Sequence, residues 1–227
     1  MSSDQSPAAS ASGVQHDPVV AAFLALLAEK RFEDIGFAEI ARRAGVSLAE
    51  LRGRHASKIG MLAAHMREVD RAVLAGIDAD MAEEEPRERL FDVLMRRLDV
   101  LAPHKEAVRS LLRSVMVNPG LALALNGLAV RSMRWMLTAA AISDSGPKGM
   151  IRAQGLALLF PPVLRTWVRD DDPGQARTLA ALDRALASGQ RWAGFLDDLC
   201  RIPEAACSAR RAMRRRRDAR DGETAAA

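Results

Sequence analysis

The sequence predicts an all-α fold, and its composition and residue spacing carry that prediction. Helix-forming Leu, Ala, Arg and Met are abundant in the 227 residues, and few stretches are rich in the β-branched or aromatic residues that strands favour. In successive segments, apolar residues recur at steps of three and four positions, as on the buried face of a helix. A chain of this length can bury a substantial core in one large domain or two unequal ones.

The N-terminal quarter of the chain is predicted to hold three short helices and the start of a long one. Residues 1–16 are rich in Ser and Ala and are expected to be disordered. A first helix is expected from about Asp17 to Lys30, with one apolar face. Ser57 can cap a long fourth helix that leaves this unit, so the first domain is expected to span residues 17–62.

Residues 63–200 are predicted to form a second, larger helical domain. A loop is expected at residues 143–149, and Pro161 with Pro162 should kink or interrupt the helix that follows it. In chain order, the other predicted helices of this domain cover about residues 90–101, 108–116, 121–142 and 173–199.

A helix-turn-helix pattern follows the first helix. Four apolar residues between Phe37 and Ala44 recur at steps of three and four positions, which places them on one face of a short helix. Gly45 permits the backbone conformation that ends this helix. Ser47, with Glu50 three residues later, predicts a capping box at the start of a second helix.

The second helix of this motif has two expected faces. Leu48 and Leu51 are expected to pack it on the preceding helix, whereas Arg52 and Arg54 project outward. A recognition helix that enters the major groove of DNA with cations near the phosphates has this arrangement. The motif therefore predicts a DNA-binding unit.

The net charge of +4 is unevenly distributed along the chain. Residues 210–220 alone carry +6, so the remainder sums to −2, yet residues 41–60 carry a local +4 on the predicted DNA-binding unit. The Arg-rich tail, residues 201–227, is predicted to be disordered. Its arginines could add nonspecific affinity for DNA or touch an anionic membrane surface.

Three segments of the N-terminal unit resemble the TetR family of transcriptional regulators. The matching segments are Phe23-Leu-Ala-Leu-Leu-Ala-Glu-Lys-Arg-Phe-Glu, Ile40-Ala-Arg-Arg-Ala-Gly-Val-Ser, and Ser57-Lys58 with Leu62. The resemblance implies an all-α, TetR-like homodimer with an N-terminal three-helix bundle and a C-terminal helical domain for ligand binding and dimerisation. The family usually has Tyr at the position of Arg52 and Phe at that of His55.

The resemblance implies a one-component regulator whose partners are double-stranded DNA and a small apolar effector. It implies a repressor that binds a palindromic operator as a homodimer and pairs through its last two main helices, where Leu179, Leu182 and Leu186 form a stripe. Ser47 and Ala49 are placed to read bases, and the nearby cations to contact phosphates. The residues assigned to DNA are Ser47, Leu48, Ala49, Arg52, Arg54, His55 and Lys58.

The C-terminal part carries a second resemblance, to accessory proteins of ubiquinone biosynthesis that hold lipids in a TetR-like fold. The matching segments are Leu98-Asp-Val-Leu-Ala-Pro-His-Lys-Glu-Ala-Val-Arg, Trp167-Val-Arg-Asp-Asp-Asp-Pro, and Thr178-Leu-Ala-Ala-Leu-Asp-Arg. This resemblance implies the main rival function, a lipid- or quinone-binding accessory protein. Arg52, Arg54 and Lys58 are the features that separate the two functions.

Large apolar side chains in the C-terminal domain are candidates for a ligand pocket. Adaptable Met and flat indoles suit an apolar ligand, although each such residue is more often simply core. His104 is expected at a helix start or on the surface, and His65 is expected to be structural. The candidate ligand contacts are Met133, Trp135, Met136, Phe160 and Trp167.

Several other function classes are excluded by the sequence. No motif places a nucleophile, and the histidines form no metal cluster with Cys200 and Cys207, so we expect no catalytic residue, no cofactor and no metal site. The N-terminus lacks the basic start of a signal peptide, and no apolar run approaches the roughly 18 residues that span a bilayer. We expect a cytoplasmic protein whose cysteines are free thiols.

Overall fold

The computed structural model describes residues 17–77 and 83–189. These residues form helices and connecting turns, and no β-strand occurs among them. The all-α prediction is therefore confirmed. None of the helices in these two ranges is long and apolar enough to cross a membrane. Both predicted disordered tails and both cysteines lie outside the described residues.

Four helices form the N-terminal part of the molecule. They are α1 (Pro18–Glu29), α2 (Phe37–Ala44), α3 (Leu48–Arg54) and α4 (Lys58–Ala75). Asp17 caps α1 by accepting a hydrogen bond of 2.9 Å from the Val19 amide, and Pro18 occupies the first turn. Ser57 caps α4 through the Gly60 amide, as its position in the sequence predicted.

Five further helical segments are described. They are α5 (Pro86–Leu101), α6 (Lys105–Val117), α7 (Pro119–Ala139), α8 (Gly146–Trp167) and α9, residues 176–189 at the end of the described chain. A short 3-10 turn, Ala102–His104, joins α5 to α6. Asn118 ends α6 and caps α7 through the Leu121 amide, which explains the break between these two helices.

The connection from α7 to α8 differs from the prediction. The expected loop, residues 143–149, is shorter because α8 already begins at Gly146. Helix α8 also continues through Pro161 and Pro162, so of the predicted kink or interruption, the interruption is wrong and the kink stays a prediction. A proline removes one helical hydrogen bond, but its fixed φ is itself helical, and burial of the neighbouring Phe160 in the core holds the helix in place.

Two hydrophobic clusters fill the molecule. The first is built on α1 to α4 and includes Ala107 from α6 and Leu121 from α7. The second joins α4, α5, α7, α8 and α9. Leu182 and Leu186 of α9 are 1% and 6% exposed within this second cluster. The prediction that they belong to a dimer-forming stripe is therefore wrong, because they already face the core of their own chain.

A buried ion pair crosses the second cluster. Arg97 Nη1 on α5 donates to Asp70 Oδ1 on α4 at 2.5 Å, and Ser132 Oγ on α7 donates to the same oxygen at 2.5 Å. Removal of one partner would leave the other charge buried and unpaired, which is strongly destabilising. The three side chains therefore fix α4 against α5 and α7.

The segment that resembles the ubiquinone accessory proteins makes structural contacts. Asp170 Oδ2 accepts hydrogen bonds from the Thr178 hydroxyl at 2.7 Å and amide at 2.9 Å, which lower the pKa of Asp170. Lys105 Nζ donates to the Asp170 carbonyl at 2.6 Å and lies 5.7 Å from the Trp167 ring centroid. These four residues of the motif therefore connect α6 to the end of α8 and the start of α9.

Candidate nucleic-acid interface and ligand cavity

The turn of the helix-turn-helix is built as the sequence predicted. Gly45 ends α2 in the left-handed conformation, with φ of 68°, where a Cβ would be strained. The Glu50 amide donates to Ser47 Oγ at 3.1 Å, and Glu50 Oε2 accepts from the Ser47 amide at 2.8 Å. These bonds to Ser47 lower the pKa of Glu50. The capping box therefore fixes where α3 begins.

The predicted inner face of this motif is only partly buried. Leu51 packs α3 into the first cluster, but Leu48 is 56% exposed, and the prediction that it packs on α2 is wrong. Leu48 is the first residue of α3, and its position there directs it to solvent. Phe37, the first residue of α2, is also exposed, whereas Ile40 and Ala41 are buried as expected.

Three residues that the sequence assigned to DNA are exposed on α3. Leu48 and Ala49 lie in the first turn, and Arg52 lies one turn further along the helix. Within residues 17–77 and 83–189, Arg52 makes no hydrogen bond or ion pair. The Ser47 hydroxyl, by contrast, also donates to Glu50 Oε2 at 2.9 Å, so base contact by Ser47 would compete with the helix cap.

Arg54 and His55 are directed towards the start of α1 rather than outward. His55 Nε2 lies 3.2 Å from Asp17 Oδ2, and Arg54 Nη1 lies 3.3 Å from Asp17 Oδ1. Burial raises the pKa of Asp17. The Val19 amide, His55 and Arg54 together lower it by more, so the net pKa falls below its usual value. The His55 side chain is only 10% exposed. These contacts hold the end of α3 to α1.

Lys58 also has partners within the protein. Its Nζ donates to the Phe32 carbonyl at 2.6 Å and to the Ile35 carbonyl at 2.9 Å, and it lies 4.4 Å from the Phe32 ring centroid. Burial lowers the pKa of Lys58, opposed by the charges of Glu33 and Asp34. The structure therefore does not support the assignment of Lys58 to DNA, since its ammonium group ties α4 to the connection between α1 and α2.

Several cations of the basic patch predicted from the sequence are bound within the protein. Arg43 makes two hydrogen bonds to the Glu29 carboxylate, at 2.7 and 3.0 Å. Arg54 is paired with Asp17, and Lys58 is occupied by carbonyls. Of the assigned cations, Arg52 is the one that the described contacts leave directed to solvent.

A cavity of about 310 Å³ lies between the two hydrophobic clusters. One wall comes from α1 and α4, with Leu24, Leu27 and Leu62, and the facing walls come from α5 to α8. Among these facing walls, α6 contributes Ala107 and Leu111. The cavity therefore touches helices α1 and α4 of the N-terminal part directly, which sequence periodicity could not indicate.

Two of the five predicted ligand contacts line this cavity. Met133 and Phe160 do so, whereas Met136 and Trp167 are buried in the core away from it. Trp135 is 54% exposed on α7 and does not line the cavity either. Neither of the two tryptophans in the described ranges lines this space, so a ligand contact by these three residues stays a prediction that this cavity does not support.

The few polar groups of the cavity are found on four helices and one turn. His65 on α4 and His104 before α6 stack edge to face, with ring centroids 5.0 Å apart, and both line the cavity, which the sequence did not indicate. Asn126 on α7 exchanges two amide hydrogen bonds with Gln154 on α8, at 3.1 and 3.2 Å. Arg97 and Arg165 complete the set.

Two serines connect α6 to the segment that follows α1. Ser110 Oγ donates to the Lys30 carbonyl at 2.6 Å, and Ser114 Oγ accepts from the Phe32 amide at 3.1 Å. Both hydroxyls are buried. A displacement of α6 would therefore be transmitted to the segment between α1 and α2, to which Lys58 is also bound.

Solved structures of other proteins share this architecture. A TetR transcriptional regulator from Nitrosomonas europaea ATCC 19718 superposes with a TM-score of 0.59 at 22% identity, covering 77% of this chain and 96% of its own. A TetR transcriptional regulator from Rhodococcus sp. RHA1 gives 0.53 at 23% identity, covering 74% and 93%. These similarities show a TetR-like all-α fold. No protein-family model matches the sequence, and no curated protein matches it.

Proposed function

We propose that this protein is a DNA-binding transcriptional regulator that a small apolar effector releases from its operator, and hence a repressor. The observation that carries the proposal is the placement of the cavity. A helix-turn-helix with an exposed α3 surface shares a wall, at Leu24 and Leu27 of α1, with a largely apolar cavity. A ligand in that space would touch the unit that holds α3.

The DNA surface in this proposal is the exposed side of α3. Leu48 and Ala49 would enter the major groove, where an apolar side chain can contact a thymine methyl group. Arg52 would donate a charge-assisted hydrogen bond to a phosphate. His55, Arg54 and Lys58 would position α3 rather than contact DNA, given their bonds inside the protein.

We propose that the homodimer forms through α8. Ile151 is exposed in the N-terminal half of this helix, with Gly155 one helical turn further along on the same side. A Cβ added at Gly155 would meet nothing within 4 Å, so this side of α8 is open to a partner. A two-fold pairing would place two α3 helices about 34–36 Å apart, the spacing of successive major grooves.

The effector would act by differential affinity for two states. A molecule that fits the cavity better when α6 is displaced from α1 would favour a DNA-incompetent separation of the α3 helices, with a coupling of about 1–3 kcal/mol. Ser110 and Ser114 are the contacts through which α6 would move the DNA-binding unit.

Genomic footprinting of the full chain in its native cell tests the proposal. Discrete near-palindromic sites, two half-sites about one helical turn apart, are the expected result. An absence of discrete sites would overturn it and favour the lipid-presenting accessory function instead.

A further inference from the structure

The cavity opens to solvent beside α8. Its exposed lining residues, Leu158 and Arg165, both belong to this helix. Arg165 Nη2 lies 3.0 Å from Met116 Sδ on α6, and Met116 is also exposed. Among the described residues, no carboxylate pairs with Arg165. A guanidinium group without a neutralising partner therefore stands at the entrance of an apolar space.

The charged and amide groups deeper in the cavity already have partners of their own. The charge of Arg97 is matched by Asp70, and Asn126 is hydrogen bonded to Gln154. The remainder of the far wall is apolar, from Leu24, Leu27 and other buried side chains. The charge of the cavity that has no carboxylate partner among the described residues is thus that of Arg165 at its mouth. The apolar interior is suited to a hydrocarbon chain.

We propose that the cavity binds a single-chain carboxylate, with its head group on Arg165 at the mouth and its hydrocarbon chain directed inward towards α1. Arginine binds carboxylates through parallel hydrogen bonds, and the apolar interior would exclude a second charge. The cavity volume of about 310 Å³ leaves room for a hydrocarbon chain, and a ten-carbon chain serves as the probe.

This proposal rests on the effector site proposed above, and it names the chemical class of the effector. A cationic amphiphile would place its charge against Arg165. A neutral chain of the same length would fill the interior but would leave the guanidinium group without a partner. Head-group charge is therefore the property that the experiment varies.

Calorimetric titration of the full chain without DNA, using decanoate, 1-decanol and decylammonium below their aggregation concentrations, tests the proposal. Decanoate should bind about three- to tenfold more tightly than decanol, as one solvent-accessible ion pair allows, and decylammonium should bind most weakly. Arg165→Gln should remove the advantage of decanoate and leave decanol within about twofold. Arg165→Glu should make decylammonium the preferred ligand.

Arg169→Gln is the matched control, since Arg169 is also exposed but does not line the cavity. It should leave all three affinities unchanged. Ala129 lines the cavity on α7, and Ala129→Phe should fill it, weakening decanoate more than tenfold while the circular dichroism spectrum stays helical.

Equal binding of decanoate and decanol by the native chain, or unchanged decanoate binding by Arg165→Gln or Ala129→Phe, would overturn the proposal. Because the titration contains no DNA, its outcome is separate from that of footprinting. Decanoate binding without operator sites would leave this site assignment standing and remove the regulator. Operator sites without decanoate binding would do the reverse.

Discussion

Lys58 Nζ on α4 donates a 2.6 Å hydrogen bond to the carbonyl of Phe32, 26 residues earlier in the chain. The same ammonium group reaches the Ile35 carbonyl and lies over the Phe32 ring. Lys58 thus ties α4 to the connection between α1 and α2. The local positive charge assigned Lys58 to a DNA phosphate, but its ammonium group is hydrogen bonded to two backbone carbonyls. Arg52 makes no hydrogen bond or ion pair among the described residues.

We predict that Lys58→Met destabilises the protein by about 1–2 kcal/mol, because two carbonyl oxygens lose a charged donor. Arg52→Ala, which removes no described contact, should change the free energy of unfolding by less than about 0.5 kcal/mol. Urea unfolding at neutral pH measures both. A Lys58→Met variant with native stability but weakened DNA binding would restore Lys58 to the DNA surface.

Arg52→Ala is predicted to weaken the binding of operator and of random duplex by similar factors. A phosphate contact carries affinity without sequence information. The log-log slope of affinity against salt should flatten by about 0.9 per monomer, as expected for one lost phosphate contact. Fluorescence anisotropy at several salt concentrations gives this slope, and an unchanged slope would show that Arg52 does not dock on phosphate.

The contact of Asp17 with His55 and Arg54 predicts a pH dependence of stability. The pKa of Asp17 is lower in the folded chain, so its stabilisation is present above the unfolded carboxyl pKa of about 4 and is lost as the pH falls through the lower folded value. Asp17→Ala should cost about 0.5–2 kcal/mol at pH 7, chiefly through the α1 cap.

Thermal or urea unfolding from pH 7 down to pH 3 measures the difference in stability between the native chain and Asp17→Ala. The two stabilities should approach each other towards the acid end, as protonation of Asp17 begins to remove the contribution of its carboxylate. A difference that stays constant throughout this range would mean that the ionised carboxylate contributes nothing to the junction between α1 and α3.

Ile151→Glu is predicted to convert the protein from dimer to monomer. The substitution places a charge at the centre of the proposed α8 interface, where burial without a partner is costly. Leu179→Glu on α9 adds the same charge to another partly exposed position and should leave the dimer intact. Light scattering at micromolar concentration distinguishes the two, and a dimeric Ile151→Glu variant would place the interface elsewhere.

Local features of the fold were predictable because short-range chemistry decides them. The Ser47–Glu50 capping box, Gly45 at the end of α2 and the Ser57 cap each depend on residues no more than a few positions apart. Such signals predict where helices begin and end. They do not indicate which neighbour covers a given face.

Several features that the sequence did not predict depend on contacts between residues distant in sequence. Arg54 is paired with Asp17, 37 positions away, and periodicity alone could not decide whether Leu182 faces its own core or a second subunit. The cavity wall at Leu24 exists because α6 packs on α1, which no local pattern encodes. Met133 and Phe160 were predicted as ligand contacts because large apolar residues commonly line apolar cavities.

The central claim, that α3 reads DNA, is tested most directly by Ala49→Asp in an anisotropy titration with a footprinted operator and its scrambled sequence. Aspartate in the first turn favours the helix, so α3 should form while its charge repels DNA. The native chain should prefer the operator by about 10³-fold or more, and Ala49→Asp should abolish this preference. Ala180→Asp, at an exposed position on α9, should retain it. An unchanged operator preference in Ala49→Asp would contradict the account.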